Sequence, residues 1–110
     1  MLKRGVLRPP LKDPLAGAEL DPNLPAVDLH GLSSDQALCE LDAFLHRAYV
    51  GGIPAARIIY GRGTGRLLAA VSHFLRTHPL VEYARGSDQP AEIGGVTYVL
   101  LVRAFPESLH

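Results

Sequence analysis

The chain has 110 residues, a formal net charge of zero and a single cysteine, Cys39. This length predicts one domain that buries its core without a metal or disulfides. The unpaired cysteine, beside the apolar stripe of a predicted helix, favours a half-buried thiol in a reducing, cytoplasmic compartment. No apolar run approaches the roughly 20 residues of a membrane span, which argues against a membrane partner.

Residues 1–25 are predicted to form a proline-rich arm or linker. The prolines of this segment are Pro9, Pro10, Pro14, Pro22 and Pro25. Leucines such as Leu15 and Leu20 would let the arm pack along the domain surface, and basic residues such as Lys3 and Arg8 would let it touch a polyanion. The composition favours a linker to another part of a larger protein.

After the arm, the hydrophobic pattern alternates between strands and helices. The predicted strands are residues 26–30, 57–60, 81–85 and 96–102. The first helix begins at a capping box of Ser33 and Gln36 and stops at Gly51-Gly52, and the second spans residues 66–77. The order β-α-β-α-β-β predicts an α/β two-layer sandwich with a four-stranded mixed sheet.

Asp28 and His30 lie two residues apart at the end of the first predicted strand. Their side chains therefore leave the same face of the sheet. A carboxylate beside an imidazole can act as an acid–base pair, or Asp28 can serve as a ligand of a divalent cation. The same spacing also fits a turn cap beside a surface histidine.

A glycine-rich loop joins the second predicted strand to the second helix. The loop is Gly61-Arg62-Gly63-Thr64-Gly65, followed by Arg66. Its three glycines would let the backbone adopt positive φ and point its N–H groups toward an anion. The two arginines would also attract an anion. The threonine would cap the helix or bind phosphate. A glycine turn that only lets the helix pack tightly is the alternative.

Neither of the familiar nucleotide-binding patterns fits this loop. It lacks the Gly-Lys-Ser/Thr of a P-loop, and its third glycine comes one residue early for a dinucleotide site. We therefore expect no nucleotide or organic cofactor.

No carboxylate occurs between Ala43 and Val81, although five arginines do. A basic face around the loop would attract a polyanion, and ordinary solvated arginines are the alternative.

Because consecutive parallel strands end at the same edge of a sheet, these two stretches should meet in one crevice. With both in view, the chain from about Val27 to Val102 resembles the Smr domain, the small MutS-related module. The matching segments are Val27-Asp28-Leu29-His30-Gly31 for L-D-L-H-G, Tyr60-Gly61-Arg62-Gly63-Thr64-Gly65 for H-G-x-G-x-G, and Gly94-Gly95-Val96-Thr97-Tyr98-Val99-Leu100 for the closing glycine pair and strand.

The resemblance implies a fold like the C-terminal domain of a bacterial translation initiation factor, spanning residues 26–105, with a C-terminal tail at 106–110. It also implies an endonuclease that nicks DNA in recombination or repair, or cuts RNA. Asp28 and His30 would be the catalytic residues, and residues 60–66 would bind the substrate. The proposed chemistry is compatible with a divalent cation, Mn²⁺ or Mg²⁺, held by one carboxylate and water, but the sequence does not require one. The resemblance also suggests a larger MutS-like protein as the context.

Tyr60 is one departure from the family pattern, because it stands where histidine is usual. A phenol with a pKa near 10 is a poor general base at neutral pH, but its hydroxyl can still donate a hydrogen bond to a phosphate or a leaving oxygen, so we expect reduced or altered activity. A non-catalytic DNA- or RNA-binding targeting module is the alternative function. A small-molecule phosphate binder is the third.

Overall fold

The structure is a computed structural model that describes residues 13–103. In chain order its elements are α1 (Ala16–Glu19), β1 (Ala26–Asp28), α2 (Ser34–Val50), β2 (Ala55–Ile59), α3 (Arg66–Thr77), β3 (Val81–Gly86) and β4 (Val96–Leu101). The predicted β-α-β-α-β-β order is confirmed, and a short helix precedes it. Among the described residues, no helix is both long and apolar enough to cross a membrane.

The four strands form one mixed sheet in the order β1-β2-β4-β3. Strand β1 is parallel to β2, with Asp28 beside Ile59, and β4 is antiparallel to both of its neighbours. The predicted fold class is therefore confirmed. Because β1 and β2 are parallel, both end at the same edge, where a Cβ added to Gly61 would lie 3.4 Å from the His30 Cβ. The two sequence motifs thus meet.

Helices α2 and α3 cover one face of the sheet. Helix α2 begins at the predicted capping box, in which Ser33 and Gln36 each accept the other's backbone N–H. The residues of its buried stripe are Ala37, Leu41, Leu45 and Ala48. Cys39 is exposed, so the expectation of a half-buried thiol was wrong. It lies two residues from both Ala37 and Leu41, which places it on the opposite side of the helix.

The segment from Asp13 to Pro25 covers the other face of the sheet. Leu15 is fully buried there, in a cluster with Ala55, Val96 and Tyr98, whereas Leu20 is 80% exposed. This part of the predicted arm therefore packs along the domain. Residues 1–12, which include the arm's basic side chains, and the predicted tail lie outside the described residues.

A cluster of ion pairs fastens this segment to β3. Arg85 Nη2 lies 2.6 Å from Asp13 Oδ2 and 2.5 Å from Glu19 Oε1. The hydrogen bonds from Arg85 lower the pKa of the Asp13 and Glu19 carboxyl groups. The hydrogen bond to Asp13, together with the one to Glu19, raises the pKa of Arg85. The charged forms of all three groups therefore stabilise the fold.

We expect the free energy of unfolding to decrease as the pH is lowered into the carboxyl range. Asp13 and Glu19 have pKa values below their ordinary 3.8 and 4.5 in the folded state. Their contribution is complete above those ordinary values and is lost as the pH falls through the folded-state values. Urea unfolding at about pH 7 and about pH 3 should show the decrease. Arg85→Met should make it smaller, and an unchanged decrease would contradict this origin.

Candidate functional site

Asp28 and His30 form a hydrogen-bonded pair at the end of β1. His30 Nδ1 lies 2.7 Å from Asp28 Oδ1, which also accepts the His30 backbone N–H at 3.1 Å. Because an ionised carboxylate only accepts hydrogen bonds, Nδ1 carries the proton in the neutral ring and Nε2 keeps its lone pair. Both side chains are more than half exposed, at 70% for His30 and 52% for Asp28. The pair thus presents an oriented base to solvent.

The pKa of Asp28 is lowered by its hydrogen bonds from the His30 ring and the His30 backbone N–H. Asp28 is therefore ionised at neutral pH. Both bonds use Oδ1, which leaves Oδ2 for a water molecule or a cation. Mg²⁺ is commonly held by one or two carboxylates together with water and substrate phosphates, so this oxygen is a suitable ligand for such an ion. Such an ion would offset negative charge on a phosphate.

The glycine loop turns sharply between β2 and α3. Gly61 and Gly65 have φ values of 78° and 90°, in the left-handed region that favours glycine. Gly63 is not among the residues with positive φ, so that part of the prediction was wrong. The Thr64 hydroxyl accepts the Arg66 N–H at 3.3 Å, but Thr64 precedes the N-cap residue, so it is not the helix cap that was one of its two expected roles. Gly65 is the N-cap residue of α3 and has no side chain to offer.

An open cavity of about 840 Å³ lies against this loop. Its lining residues are 31–35, 60–68 and Gly94. The N-termini of α2 and α3 both face it, and each helix presents the positive end of its dipole there. Arg62 and Arg66 are exposed at the cavity. Asp28 and His30 are not part of the lining; they lie beside it, where His30 borders Gly61.

Asp35 is a cavity-lining carboxylate that sequence reasoning did not assign to the site. Its position in the first turn of α2 has an ordinary explanation, because an acidic residue there stabilises the helix dipole. The available signal was its place a few residues after the Asp28 and His30 pair. In the fold, residues 31–35, which follow the pair directly, line one side of the cavity.

Tyr60 lies beneath the glycine loop and is only 4% exposed. Its hydroxyl is 2.8 Å from Thr97 Oγ1, in a buried hydrogen bond. Tyr60 was predicted to bind the substrate through that hydroxyl. Its atoms contribute to the cavity lining, but the hydroxyl already has a partner in the core. The phenol therefore supports the loop from below.

The loop between β3 and β4 also holds the glycine loop in place. The Gly95 carbonyl accepts the N–H groups of Tyr60 and Gly61 at 2.9 and 3.0 Å. Arg62 Nη2 donates to the Ala91 carbonyl at 3.2 Å. The sequence predicts only a polar loop between two strands here, and the Gly94-Gly95 pair was the one sign of a further role for it.

A second cluster of ligand-type side chains joins α2 to the end of α3. The side-chain ligand atoms of Asp42, His46 and His78 all lie within 4.8 Å of one another. His78 is 5% exposed; its Nε2 is 2.8 Å from Asp42 Oδ1, and its Nδ1 accepts the Leu80 N–H at 3.1 Å. Nε2 therefore carries the proton, whereas a metal there would require the opposite tautomer. These contacts favour a clamp between two helices.

Comparison with known proteins matches this chain to Smr domains in sequence and in fold. Residues 27–102 match the Smr domain family. The endonuclease MutS2 of Caldicellulosiruptor bescii is 41% identical over 76 residues, which are 69% of this chain and 10% of that protein. This chain thus corresponds to about a tenth of the length of that relative.

Two solved structures share the fold. The crystal structure of the Smr domain of Thermus thermophilus MutS2 has a TM-score of 0.68 and 39% identity, covering 72% of this chain and 99% of that one. YdaL, a stand-alone small MutS-related protein from Escherichia coli, has a TM-score of 0.70 and 18% identity, covering 89% and 82%. The first likeness extends to sequence, and the second is one of fold.

Proposed function

This chain belongs to the Smr domain family, and on that premise we propose that it is an endonuclease domain that nicks DNA. The observation that carries the proposal is the Asp28–His30 pair beside the glycine loop. Nε2 of His30 is oriented by a 2.7 Å hydrogen bond at Nδ1, and the His30 Cβ borders Gly61. A base next to a loop that can donate hydrogen bonds to phosphate is an arrangement suited to phosphodiester hydrolysis.

The reaction divides among three groups. His30 Nε2 accepts a proton from water as the water oxygen forms a bond to phosphorus. Asp28 holds the imidazole and stabilises its positive charge. Loop N–H groups and Arg62 stabilise the extra negative charge on the phosphate, and the P–O ester bond breaks as the leaving oxygen takes a proton from solvent. Arg62 uses Nη2 for Ala91, which leaves further guanidinium N–H groups for phosphate.

Binding should depend mainly on the sugar–phosphate backbone. The cavity offers two helix N-termini and two exposed arginines, which are sequence-independent donors. We therefore expect affinity that falls steeply as salt rises, with little dependence on base sequence. Fluorescence anisotropy over a salt titration, with DNA of two different base sequences, measures this directly. Repeating it with nicked, branched and linear DNA and with RNA compares the possible substrates.

Nicking of supercoiled plasmid tests the chemistry, with Mn²⁺, Mg²⁺ and a chelator in parallel. Cleavage by the purified chain supports the endonuclease and defines its metal requirement. Binding with no cleavage under any of these conditions would replace it with the targeting module. Cleavage of RNA with none of DNA would change the substrate.

We expect Gly63→Ala to weaken DNA binding about tenfold and leave the fold as stable as before. Gly63 lacks a positive φ, and a Cβ built on it meets nothing within 4 Å. The fold therefore accommodates alanine here, and a glycine-to-alanine change at a compatible position commonly raises the free energy of unfolding by about 0.4–1 kcal/mol. A methyl group would instead occupy the space that a close phosphate needs. Anisotropy and urea unfolding separate the two effects.

Gly17→Ala is the matched control, because Gly17 also lacks a positive φ and meets nothing within 4 Å. It lies in α1, on the other face of the sheet from α2 and α3. Both variants should be at least as stable as the parent protein, and Gly17→Ala should bind DNA normally. Equal binding by all three proteins would mean that the loop is a structural turn.

A further inference from the structure

We propose that Glu19, in helix α1, is a positioning residue for the glycine loop and Arg62. It would act through the supporting loop, defined here as residues 87–95. Glu19 precedes residues 27–102, the part of the chain that matches the family. The effect on DNA binding rests on the proposed function, whereas the effect on the loop itself rests on geometry alone.

The first link joins Glu19 to the supporting loop. Gln89 Nε2 donates to Glu19 Oε2 at 3.0 Å, and Arg85 Nη2 donates to Glu19 Oε1 at 2.5 Å. The Glu19 side chain is 12% exposed, so little water competes for these bonds. Ser87 Oγ is 3.4 Å from Glu19 Oε2, but its proton has a better acceptor at 2.7 Å on Glu92. Gln89 is therefore the main attachment.

The second link is the internal structure of the supporting loop. The Gln89 carbonyl accepts the N–H groups of Glu92 and Ile93 at 2.8 and 3.0 Å, and the Glu92 carbonyl accepts the Gly95 N–H at 2.8 Å. Glu92 Oε1 also accepts the Tyr98 hydroxyl at 2.9 Å. Because Gln89 is hydrogen-bonded to Glu92, and Glu92 to Gly95, a displacement of Gln89 should be passed on to Gly95.

The third link joins the supporting loop to the site. The Ala91 carbonyl holds the guanidinium of Arg62. The Gly95 carbonyl holds the N–H groups of Tyr60 and Gly61. A continuous set of hydrogen bonds thus runs from α1 on one face of the sheet to the charged group proposed to bind phosphate.

Glu19→Gln is the sharpest disruption, because it keeps the shape and removes one acceptor. Both carboxylate oxygens are in use, one for Arg85 and one for Gln89. An amide would turn its own N–H₂ toward one of these two donors. Asp13→Asn is the matched control, since Asp13 pairs with the same Arg85 but has no contact with the supporting loop among the hydrogen bonds of the described residues.

Amide hydrogen exchange on the full chain tests the mechanical part. In Glu19→Gln, the N–H groups of Glu92, Gly95 and Gly61 should exchange roughly three- to tenfold faster, which corresponds to the loss of one hydrogen bond. In Glu19→Gln the amides of the central strands should exchange at the parent rate. In Asp13→Asn the Glu92, Gly95 and Gly61 amides should also exchange at the parent rate. Gln89→Ala removes the other partner and should reproduce the effect while keeping the Glu19–Arg85 pair. Unchanged exchange in both loop-breaking variants would overturn the proposal.

A double-mutant cycle tests the consequence for binding. Glu19→Gln should weaken DNA binding roughly threefold in the parent chain and by a smaller factor in an Arg62→Ala background, because only the route through the Gly95 carbonyl then remains. An equal loss in both backgrounds would show that Glu19 does not act through Arg62. If the parent chain binds no DNA, the proposed function fails, while the exchange rates still decide whether Glu19 holds the supporting loop.

Discussion

Replacing His30 by alanine is expected to slow plasmid nicking about 10²- to 10⁴-fold, the usual contribution of a general base. The Asp28 hydrogen bond at Nδ1 leaves the lone pair of His30 Nε2 available, and the His30 Cβ borders the glycine loop at Gly61. The imidazole is 70% exposed, so its removal should cost little stability. DNA affinity should change little as well, because the proposed phosphate donors lie in the glycine loop and its arginines.

The matched control is His73→Ala, an exposed histidine within α3. Wild type and His73→Ala should nick equally, and His30→Ala should bind DNA without nicking it. The three proteins are purified identically and compared with Mn²⁺ and with a chelator. Nicking at the wild-type rate by His30→Ala would assign the activity to another residue or to a contaminant.

The second large effect is expected from Gly95→Ala, which should lower the free energy of unfolding by about 1–3 kcal/mol. Gly95 is buried, and a Cβ on it would lie 3.2 Å from the Gly61 carbonyl carbon and from the Arg62 nitrogen. Those neighbours are backbone atoms, so they cannot move aside as a flexible side chain does. The supporting loop and the glycine loop would have to separate, which would weaken the Gly95 carbonyl bonds and DNA binding together.

Gly86→Ala is the control for the second effect. Its nearest contact would be the Val96 carbonyl oxygen at 3.9 Å, an ordinary van der Waals distance. Urea unfolding of both variants, with amide chemical shifts of Gly61 and Arg62, separates a local clash from a general cost of glycine replacement. A stability of Gly95→Ala within about 0.5 kcal/mol of the parent would show that the two loops adjust without strain.

The parts of the fold that sequence predicted are those with local physical causes. The capping box of Ser33 and Gln36 depends on residues three apart, and it starts α2 as expected. Strand and helix periodicity likewise predicted the order of elements and the mixed sheet. The meeting of Asp28 and His30 with the glycine loop also followed, because parallel neighbouring strands end at one edge.

The parts that sequence did not predict depend on contacts distant along the chain. The Tyr60 hydroxyl was expected at the substrate, but its partner is Thr97 on β4. Glu19 had no recognisable role, since its partners Arg85 and Gln89 come about 70 positions later. Leu15 and Leu20 look alike in the sequence, and only the second face of the sheet distinguishes the buried one from the exposed one.

The packing of α1 against the sheet also affects where this domain can be cut. The family match begins at residue 27, and a chain trimmed there would retain the Asp28–His30 pair and the glycine loop. It would also uncover the apolar surface formed by Ala55, Val96 and Tyr98, which Leu15 covers in the intact chain. Exposed apolar surface of that kind promotes aggregation. Precipitation of a shortened protein would therefore indicate that this apolar surface has lost its cover, and would carry no information on Asp28, His30 or the glycine loop.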